Sequence, residues 1–312
     1  MIFELRDTNK TWSSKDRESR TVRFHIDLNT ICSNTCKYCY SRCDSQNWGL
    51  LMSSEYINTK LFPNMQQLHE SLSSNNKFLD VILLGGEPTL HPKFNTILDF
   101  FSSLENTRIS ITSNGNLNYK NSIPKSNIRW AFTFHPSQVS NIDSWIAPIL
   151  EHSNDWWEVA VSPLIDCWGT DTEIRQNSDK VKSVIDICHQ NNIKVQPTFQ
   201  FNPYSEEDHI DMELVEKYYS YLESEFPIYQ YGTQFLNDYT VLKEKKNYLK
   251  NCLCINNNIQ LTVKGQLKRC CSNEPLEWKN LEDLNTNMIC PLKECTCYGF
   301  LSLYKDIYND LF

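Results

Sequence analysis

The chain of 312 residues contains no apolar run of about eighteen residues, which is the length that a membrane-spanning helix needs. Its first residues, MIFELRDTNKTWSSKDRESR, contain no apolar stretch of the kind found in secretory signal peptides. Low-complexity tracts are missing, and so are internal repeats beyond strand and helix units. We therefore expect a cytoplasmic protein with no membrane partner.

Positive charge is also in deficit, because 30 lysine and arginine residues stand against 38 aspartate and glutamate residues, a formal net charge of −8. Proteins that bind nucleic acids collect phosphates with a positive surface, so we expect no nucleic-acid partner. Apolar residues make up 40% of the chain and charged residues 22%. This composition supplies a packed core and excludes a disordered, collagen-like or coiled-coil protein.

Cysteine, in contrast, is abundant, with 13 residues. Cytosolic thiols are kept reduced, so metal binding or redox chemistry is favoured over a disulfide framework. Four cysteines lie in residues 32–43 and seven in residues 252–297, and only Cys167 and Cys188 lie between these groups. The sequence therefore predicts two separate metal or redox sites.

Short apolar runs alternate with longer amphipathic stretches through the first two thirds of the chain. This alternation is typical of strand and helix units, whose right-handed parallel crossovers curl a sheet into a barrel. We expect an α/β fold built on a partial (βα)6 TIM-like barrel, with a small C-terminal cysteine-rich module of a β-hairpin and a helix. The predicted strands are 23–29, 80–84, 108–112, 130–134, 158–164 and 194–201, and the clearest helices are 56–72, 94–104, 142–150 and 179–191.

The alternation stops after Asn202, which indicates a change of domain. The predicted units are an N-terminal extension at 1–22, a barrel at 23–204, a helical connection at 205–248 and a C-terminal module at 249–312. Within the last unit, residues 258–270 alternate apolar and polar side chains on either side of Lys264 and Gly265, which predicts a hairpin.

Three cysteines follow the first predicted strand in the segment NTICSNTCKYCY, where Cys32, Cys36 and Cys39 form a CxxxCxxC pattern. Thiolates on one short loop can hold three irons of a [4Fe-4S] cluster and leave the fourth iron open to a ligand. The alternative is a structural zinc site that takes Cys43 as its fourth ligand.

A glycine-rich turn follows the second predicted strand in the segment LLGGEP. Parallel α/β folds bind ligands at this end of their strands, and Gly85 and Gly86 allow a ligand to approach bare backbone. Taken by itself, such a turn is more often a plain connection between a strand and a helix. Here it occurs together with the cysteine loop.

The cysteine loop, with Tyr38 before its last cysteine, and the GGEP turn together resemble the radical S-adenosylmethionine superfamily over residues 22–202. The resemblance implies that the three cysteines ligate a [4Fe-4S] cluster whose open iron binds S-adenosylmethionine, with Gly85, Gly86 and Glu87 at its amino group. It also implies that one electron, from a donor such as flavodoxin or ferredoxin, cleaves this cofactor to methionine and a 5′-deoxyadenosyl radical, which abstracts hydrogen from a substrate.

The same family places polar side chains at the ends of the third to fifth strands, where they hold the ribose and the carboxylate of the cofactor. The matching candidates here are Ser113 and Asn114 in TSNG, Thr133 and His135 in FTFHP, and Ser162 on the fifth predicted strand. For each of them, a satisfied polar side chain at a barrel mouth is an equally good interpretation.

The C-terminal cysteines resemble the twitch and SPASM extensions of this family, which carry auxiliary [4Fe-4S] clusters. A single cluster of the shorter, twitch-like kind matches their spacing best. The preferred ligands are Cys254 and Cys270 with two of Cys290, Cys295 and Cys297, and the nearest substitutes are Cys252 and Cys271. A structural zinc site is the alternative.

The remaining candidates have simpler interpretations. Cys167, at the mouth end of the fifth predicted strand, is a candidate hydrogen-atom donor, although packing is the commoner role of a small apolar thiol. Cys188 on an amphipathic helix, His91, and the pair Trp156 and Trp157 are expected to pack in the core or to lie in loops.

Members of the family with auxiliary clusters act mostly on ribosomally synthesised peptides, and also on sugars and antibiotics. We therefore expect a peptide-modifying oxidoreductase. The alternatives are a dehydrogenase or epimerase of a small molecule (a sugar, aminoglycoside or nucleoside) and a non-catalytic zinc-binding protein.

Residues 1–22 are too few to fold into a domain that binds the leader segment of a peptide substrate. We therefore expect that a separate protein or the C-terminal module recognises the leader, or that no leader recognition is needed. The tyrosine-rich segment 218–239 is a candidate for aromatic anchors.

Overall fold

A computed structural model describes residues 21–36, 39, 49–116, 127–154, 158–166, 170–195, 198–200, 258–268 and 276–279. The strands of the α/β region are β1 (Thr21–Asp27), β2 (Phe78–Leu84), β3 (Thr107–Ser113), β4 (Ile128–Phe134), β5 (Glu158–Asp166), β6 (Lys194–Val195) and β7 (Thr198–Gln200). The helices are α1 (Phe62–Ser74), α2 (Phe94–Ser103), α3 (Ile142–His152) and α4 (Asp171–Gln190). A helical turn at Ser54–Tyr56 and a π-helical turn at Ile57–Leu61 lead into α1.

All six predicted strands are present, although the sixth consists of two short strands, β6 and β7, that each pair with β5. The last helix differs from its prediction, because α4 begins at Asp171 rather than at residue 179. Thr170 caps this helix: its backbone N–H donates to the Glu173 carboxylate at 2.7 Å, and its Oγ1 accepts from Glu173 N at 3.4 Å. The first two turns are mostly polar, so hydrophobic periodicity does not reveal them.

The sheet places β1 to β6 side by side in the order of the chain, and every neighbouring pair is parallel. In an order without reversal, the right-handed crossovers all lie on the same face of the sheet. The molecule therefore has an α/β fold with a mostly parallel sheet, and its helices lie on one face of that sheet.

The face that packs against the helices is apolar and buried. Phe94 of α2 lies against Trp130, with ring centroids 6.3 Å apart, and Trp145 of α3 lies against Phe134 at 4.9 Å. Strand register puts these buried side chains on the same face: Phe24, Ile26, Val81, Leu83, Ile109, Ile111, Trp130 and Phe132. Removing this layer from water is the main source of stability.

The opposite face, here called the polar face, carries half-buried side chains that are mostly small or polar: His25, Asp27, Ile82, Ser110, Thr112, Ala131, Thr133 and Ser162. Alternate residues of a strand share a face, so these positions form continuous rows across the sheet. Parallel sheets that are covered by helices on both faces are apolar on both. The polar face is therefore the side of the sheet that suits a ligand.

Charged side chains occupy the amino end of the polar face. They form two groups, each with a carboxylate between two cations: Arg23, Asp80 and Arg108, and Arg129, Glu158 and Lys194. Arg108 donates to both carboxylate oxygens of Asp80, and the Lys194 Nζ lies 3.2 Å from a Glu158 oxygen. Asp80 is buried and bound at both oxygens by Arg108, whereas the pairs of Glu158 are partly exposed and add less stability. The arrangement keeps these charges at the end opposite to the sequence motifs.

A hairpin of β8 (Asn258–Leu261) and β9 (Gln266–Lys268) is present where the sequence predicts one, and it turns at Gly265 with φ of +73°. The sequence does not predict its placement. Strand β8 pairs in parallel with β1, so the hairpin and the short β10 (Leu276–Glu277) extend the main sheet.

Aromatic side chains hold the hairpin onto the rest of the fold. The Tyr56 hydroxyl donates to the Gly265 carbonyl at 3.0 Å, and Trp278 packs on Phe24 with ring centroids 5.2 Å apart. The hairpin thus shares the core of the main sheet. The rest of the predicted C-terminal module lies outside the described residues. None of the described helices is long and apolar enough to cross a membrane.

The Asp27 carboxylate joins the hairpin to the end of β1. Gln260 of β8 donates from Nε2 to Asp27 Oδ2 at 2.8 Å. Burial raises the pKa of Asp27 to about 6, although the Gln260 bond and the charge of Lys268 act in the opposite direction. The folded protein therefore holds this proton more tightly than the unfolded chain, whose carboxyl has the ordinary pKa of 3.8.

We predict that the Asp27 contribution to folding stability is fully present below about pH 4 and is lost as the pH rises through about 6. Asp27→Asn should remove this dependence and should raise the free energy of unfolding at neutral pH, by up to about 3 kcal/mol. Urea unfolding at a series of pH values measures both effects. The exposed Asp179→Asn on α4 is the control and should follow the wild-type profile. Parallel profiles for Asp27→Asn and the wild type would contradict the prediction.

Candidate functional site

Three motifs lie at the carboxyl ends of neighbouring strands. The cysteine loop follows β1, the turn with Gly85 and Gly86 follows β2, and the segment with Ser113 and Asn114 ends β3. Because the three strands are parallel neighbours, these ends meet at one edge of the sheet. The fold therefore brings the motifs together.

The cysteine loop crosses directly over the glycine turn and is hydrogen-bonded to it. Gly86 N donates to the Asn29 carbonyl at 2.9 Å, and Glu87 N donates to the Ile31 carbonyl at 2.7 Å. The Asn29 side chain adds a third bond, from Nδ2 to the Glu87 carbonyl at 2.9 Å. These bonds fix the start of the cysteine loop relative to the turn.

Both glycines are required by this crossing. Gly85 has a φ of +152°, and a Cβ there would lie 2.6 Å from the Asn29 carbonyl oxygen. A Cβ on Gly86 would lie 2.3 Å from the Ile31 carbonyl oxygen. The close approach that the sequence assigns to a ligand is therefore also made by the cysteine loop itself.

Glu87 is completely buried, and four donors surround its carboxylate. Oε1 accepts from Thr89 N at 3.2 Å and from Thr89 Oγ1 at 2.6 Å, while Oε2 accepts from Asn114 N at 2.7 Å and from Ser113 Oγ at 3.2 Å. Burial raises the pKa of Glu87, and these bonds oppose the rise. A carboxylate has about four lone-pair sites, and the four bonds of Glu87 use all of them. Two of these bonds connect the turn to the end of β3.

Asn114 links the end of β3 to the cysteine loop. Its Nδ2 lies 3.0 Å from Ser33 Oγ and 3.6 Å from Cys32 Sγ, and its carbonyl accepts from Trp145 Nε1 at 2.9 Å. The sequence predicts contacts of Ser113 and Asn114 with a cofactor. The contacts described here are with the protein, and a role toward a cofactor stays a prediction.

Cys32 accepts hydrogen bonds at the start of its loop. Asn34 N lies 3.4 Å from Cys32 Sγ, in addition to the Asn114 amide. Burial raises the pKa of Cys32, and the charges of Glu87 and Cys39 add to this rise. A thiol in this position favours its protonated form until a cation or metal replaces the proton.

Cys36 and Cys39 complete the loop. Cys36 is buried, and its Sγ lies 3.3 Å from Nδ1 of His135. Cys39 N donates to the Cys36 carbonyl at 3.1 Å, which links the second and third cysteines.

The donor set of the loop consists of three thiols, and two N–H groups lie within hydrogen-bonding distance of Cys32 Sγ. These groups fit a [4Fe-4S] cluster, which takes each thiolate on a separate iron and is tuned by N–H donors to its sulfurs. A zinc site would need a fourth ligand beside the same thiols. Cys43, the fourth ligand of the zinc alternative, lies outside the described residues.

Further residues that the sequence does not predict support the loop. Gln138, which follows β4, accepts at Oε1 from Thr35 N at 3.1 Å, and Asn116 Nδ2 donates to Ser33 Oγ at 2.9 Å. Asn29 also belongs to this set, and its position just before the cysteines is a usable sequence signal. No such signal exists for Gln138, because its partner is 103 residues away.

Thr133 and Ser162 are register partners in adjacent strands and are half-buried on the polar face. A role of either side chain toward a cofactor stays a prediction. His135, two residues beyond Thr133, contacts Cys36 instead, and burial lowers its pKa to about 4. The His135 ring is consequently neutral at physiological pH.

His91 and Cys188 are buried as expected, and His91 Nε2 lies 3.0 Å from the Met52 carbonyl. The other predicted residues lie outside the described part of the chain: Tyr38, Trp156, Trp157, Cys167, Cys252, Cys254, Cys270, Cys271, Cys290, Cys295 and Cys297. Their roles stay predictions.

No protein-family model and no curated protein matches the sequence. Among solved structures, the chain is similar to BtrN in complex with AdoMet and 2-DOIA, with a TM-score of 0.39 and 13% identity over 93% of this chain and 85% of that chain. It is also similar to TYW1 with a lysine-pyruvate adduct bound, with a TM-score of 0.38 and 14% identity over 66% of this chain and 73% of that chain.

We predict that Glu87→Gln lowers the free energy of unfolding by about 1–3 kcal/mol, even without any cofactor. In either orientation, the new amide NH2 faces a backbone N–H, of Thr89 or of Asn114, and two donors cannot bond to each other. Chemical denaturation of the cofactor-free protein measures this loss. Glu70→Gln, at an exposed position of α1, is the matched control and should change stability by less than about 0.5 kcal/mol. Equal stability of Glu87→Gln and the wild type would be the contrary result.

Proposed function

We propose that this chain is a radical S-adenosylmethionine enzyme. The observation that supports the proposal is the hydrogen-bonded crossing of a three-cysteine loop over a GGE turn, at the carboxyl ends of neighbouring parallel strands. Either motif alone is weak evidence. Their direct contact makes them parts of one site, so a cofactor that binds both needs no rearrangement of the loop against the turn.

We further propose that the sheet forms a partial (βα)6 TIM-like barrel around this site. Support comes from the uninterrupted strand order and from helices on a single face, because barrels are built in this way. The polar face would then line the interior, and the two charged groups would lie at its amino end. Barrel enzymes have their active sites at the carboxyl end, which is where the cysteine loop and the turn lie.

Cys32, Cys36 and Cys39 are the proposed ligands of a [4Fe-4S] cluster, and the GGE turn with Thr133 and Ser162 would bind S-adenosylmethionine. When bound, the reduced cluster supplies the electron that cleaves this cofactor and starts radical chemistry on the substrate. A flavodoxin or ferredoxin is the kind of electron donor that such chemistry requires.

The chain itself orients and shields these groups. The carboxylate of Glu87 is fully occupied by its four donors, so its main contribution is to hold the turn in place. Its negative charge, in a buried setting, also favours a cationic amino group nearby. Thr133 and Ser162 offer hydroxyls that are only half-buried and are suited to hydrogen-bond a nucleoside or a carboxylate.

An auxiliary cluster is proposed for the C-terminal cysteines. The antiparallel pairing of β8 with β9 supports it, because Cys254 precedes the first strand of this hairpin in the sequence and Cys270 follows the second. The remaining two ligands are proposed among Cys290, Cys295 and Cys297.

The cluster assignments are tested by anaerobic reconstitution with iron and sulfide. Alanine at the three loop cysteines should remove about four irons and all formation of 5′-deoxyadenosine. Alanine at Cys254 and Cys270 should remove about four others and leave at least part of the cleavage intact. Cys188→Ala, at a buried packing position of α4, is the control and should keep both clusters. A wild-type protein that binds zinc and no iron would overturn the proposal.

The substrate is proposed to be a ribosomally synthesised peptide, with a small-molecule dehydrogenase or epimerase as the second candidate. The half-buried hydroxyls and the Asp27 carboxylate on the polar face are compatible with hydrogen bonding to either class. They favour substrates with many polar groups.

The two substrate classes are distinguished by following deuterium into 5′-deoxyadenosine. The isolated protein should cleave S-adenosylmethionine slowly, and cleavage should accelerate when a deuterated cognate peptide is added together with any recognition protein. Mass spectrometry should then find deuterium in 5′-deoxyadenosine. Transfer at a useful rate from a labelled sugar, nucleoside or free amino acid would replace the peptide by the small-molecule alternative.

A further inference from the structure

The contact between Cys36 and His135 joins two segments that are 99 residues apart in the chain. Cys36 Sγ lies 3.3 Å from His135 Nδ1, within hydrogen-bonding distance for sulfur. Cys36 is only 8% exposed, so water does not compete strongly for this sulfur. His135 is the first residue after β4. Its ring contacts the loop that follows β1, although β2 and β3 lie between these two strands in the sheet.

The turn that follows β4 is built to present this side chain. Gln138 N and Val139 N both donate to the His135 carbonyl, at 2.9 and 3.1 Å. Lys180 of α4 donates from Nζ to the carbonyls of Pro136 and Val139, at 2.8 and 2.9 Å. The backbone around His135 is therefore tied both to itself and to α4.

The same turn contacts the cysteine loop at a second point. Gln138 Oε1 accepts from Thr35 N at 3.1 Å and from Thr35 Oγ1 at 3.4 Å. Consecutive residues of the loop, Thr35 and Cys36, are thus bound by two side chains of one turn. The contact of Gln138 with Thr35 thus holds the turn against the loop independently of the His135 side chain.

The direction of the hydrogen bond follows from chemistry. A metal-bound cysteine is a thiolate, and a thiolate has no proton to donate. The imidazole must therefore be the donor, through an N–H at Nδ1. The sequence predicts a contact of His135 with the nucleoside, but the geometry gives the ring a different partner.

We propose that His135 donates a hydrogen bond from Nδ1 to the thiolate of Cys36 and thereby raises the reduction potential of the cluster that this loop holds. The inference rests on the proposed function. The reduced cluster has one more negative charge than the oxidised cluster, so a donor to one of its sulfur ligands stabilises the reduced state more. His135 is a positioning and tuning residue, since it acts through Cys36.

The test measures the midpoint potential of the reconstituted cluster by EPR-monitored redox titration, in the Cys254→Ala, Cys270→Ala background. His135→Phe keeps the bulk of the ring and removes the donor, so the equilibrium should shift about tenfold toward the oxidised state, equivalent to about 59 mV for one electron. His135→Asn should keep a potential near that of the wild type, because its amide N–H occupies the position of Nδ1. The exposed His152→Phe at the end of α3 is the matched control and should leave the potential unchanged.

The possible results separate failure of this inference from failure of the proposed function. Full iron content with an unchanged potential in His135→Phe contradicts the inference and leaves the proposed function intact. If His135→Phe fails to bind iron, the comparison of His135→Asn with His135→Gln replaces it. The glutamine amide reaches the position of Nε2 rather than Nδ1, so its potential should be the lower of the two, and equal potentials would overturn the inference. A wild-type protein without iron would overturn the proposed function itself.

Discussion

The buried carboxylate of Glu87 is the interaction on which the arrangement of the site depends. It has no exposure to water, and a carboxylate left there without partners would be strongly destabilising. Thr89, Ser113 and Asn114 supply the donors that make its burial tolerable. The turn after β2 and the end of β3 are consequently fixed with respect to each other, and both of them contact the cysteine loop.

The cysteine loop is held from several strands in succession. Asn29 and Ile31 bind the turn after β2, Asn114 reaches Cys32 from the end of β3, and His135 reaches Cys36 from the end of β4. The parallel strands all end at the same edge of the sheet, so contacts from the ends of β2, β3 and β4 can reach the loop that follows β1. The strand order thus has a direct consequence for the site, and the polar face beneath it provides hydroxyls and a carboxylate rather than a second apolar layer.

Local patterns in the sequence carry enough information for part of this structure. Apolar runs locate all six strands, and the meeting of the cysteine and glycine motifs follows from parallel pairing alone. The first two turns of α4 escape prediction because their stability comes from the Thr170 cap and not from an apolar stripe. The sequence also does not predict which groups the hairpin, Glu87 and Cys36 contact, and the reason is different. They are contacts between distant segments, and neither the polar residue types nor their spacing identifies the partner. Gly85 and Gly86 lie between these cases, since the sequence predicts a close approach but not that the cysteine loop makes it.

The proposed function requires that the cysteine loop hold a [4Fe-4S] cluster with one iron open to S-adenosylmethionine. EPR spectroscopy of the reduced protein, in a variant with alanine at Cys254 and Cys270, measures this with the loop cluster alone. The account predicts the signal of a reduced [4Fe-4S] cluster whose g values change when S-adenosylmethionine is added, because the cofactor becomes a ligand of the open iron. A cluster signal that is identical with and without S-adenosylmethionine would contradict the account.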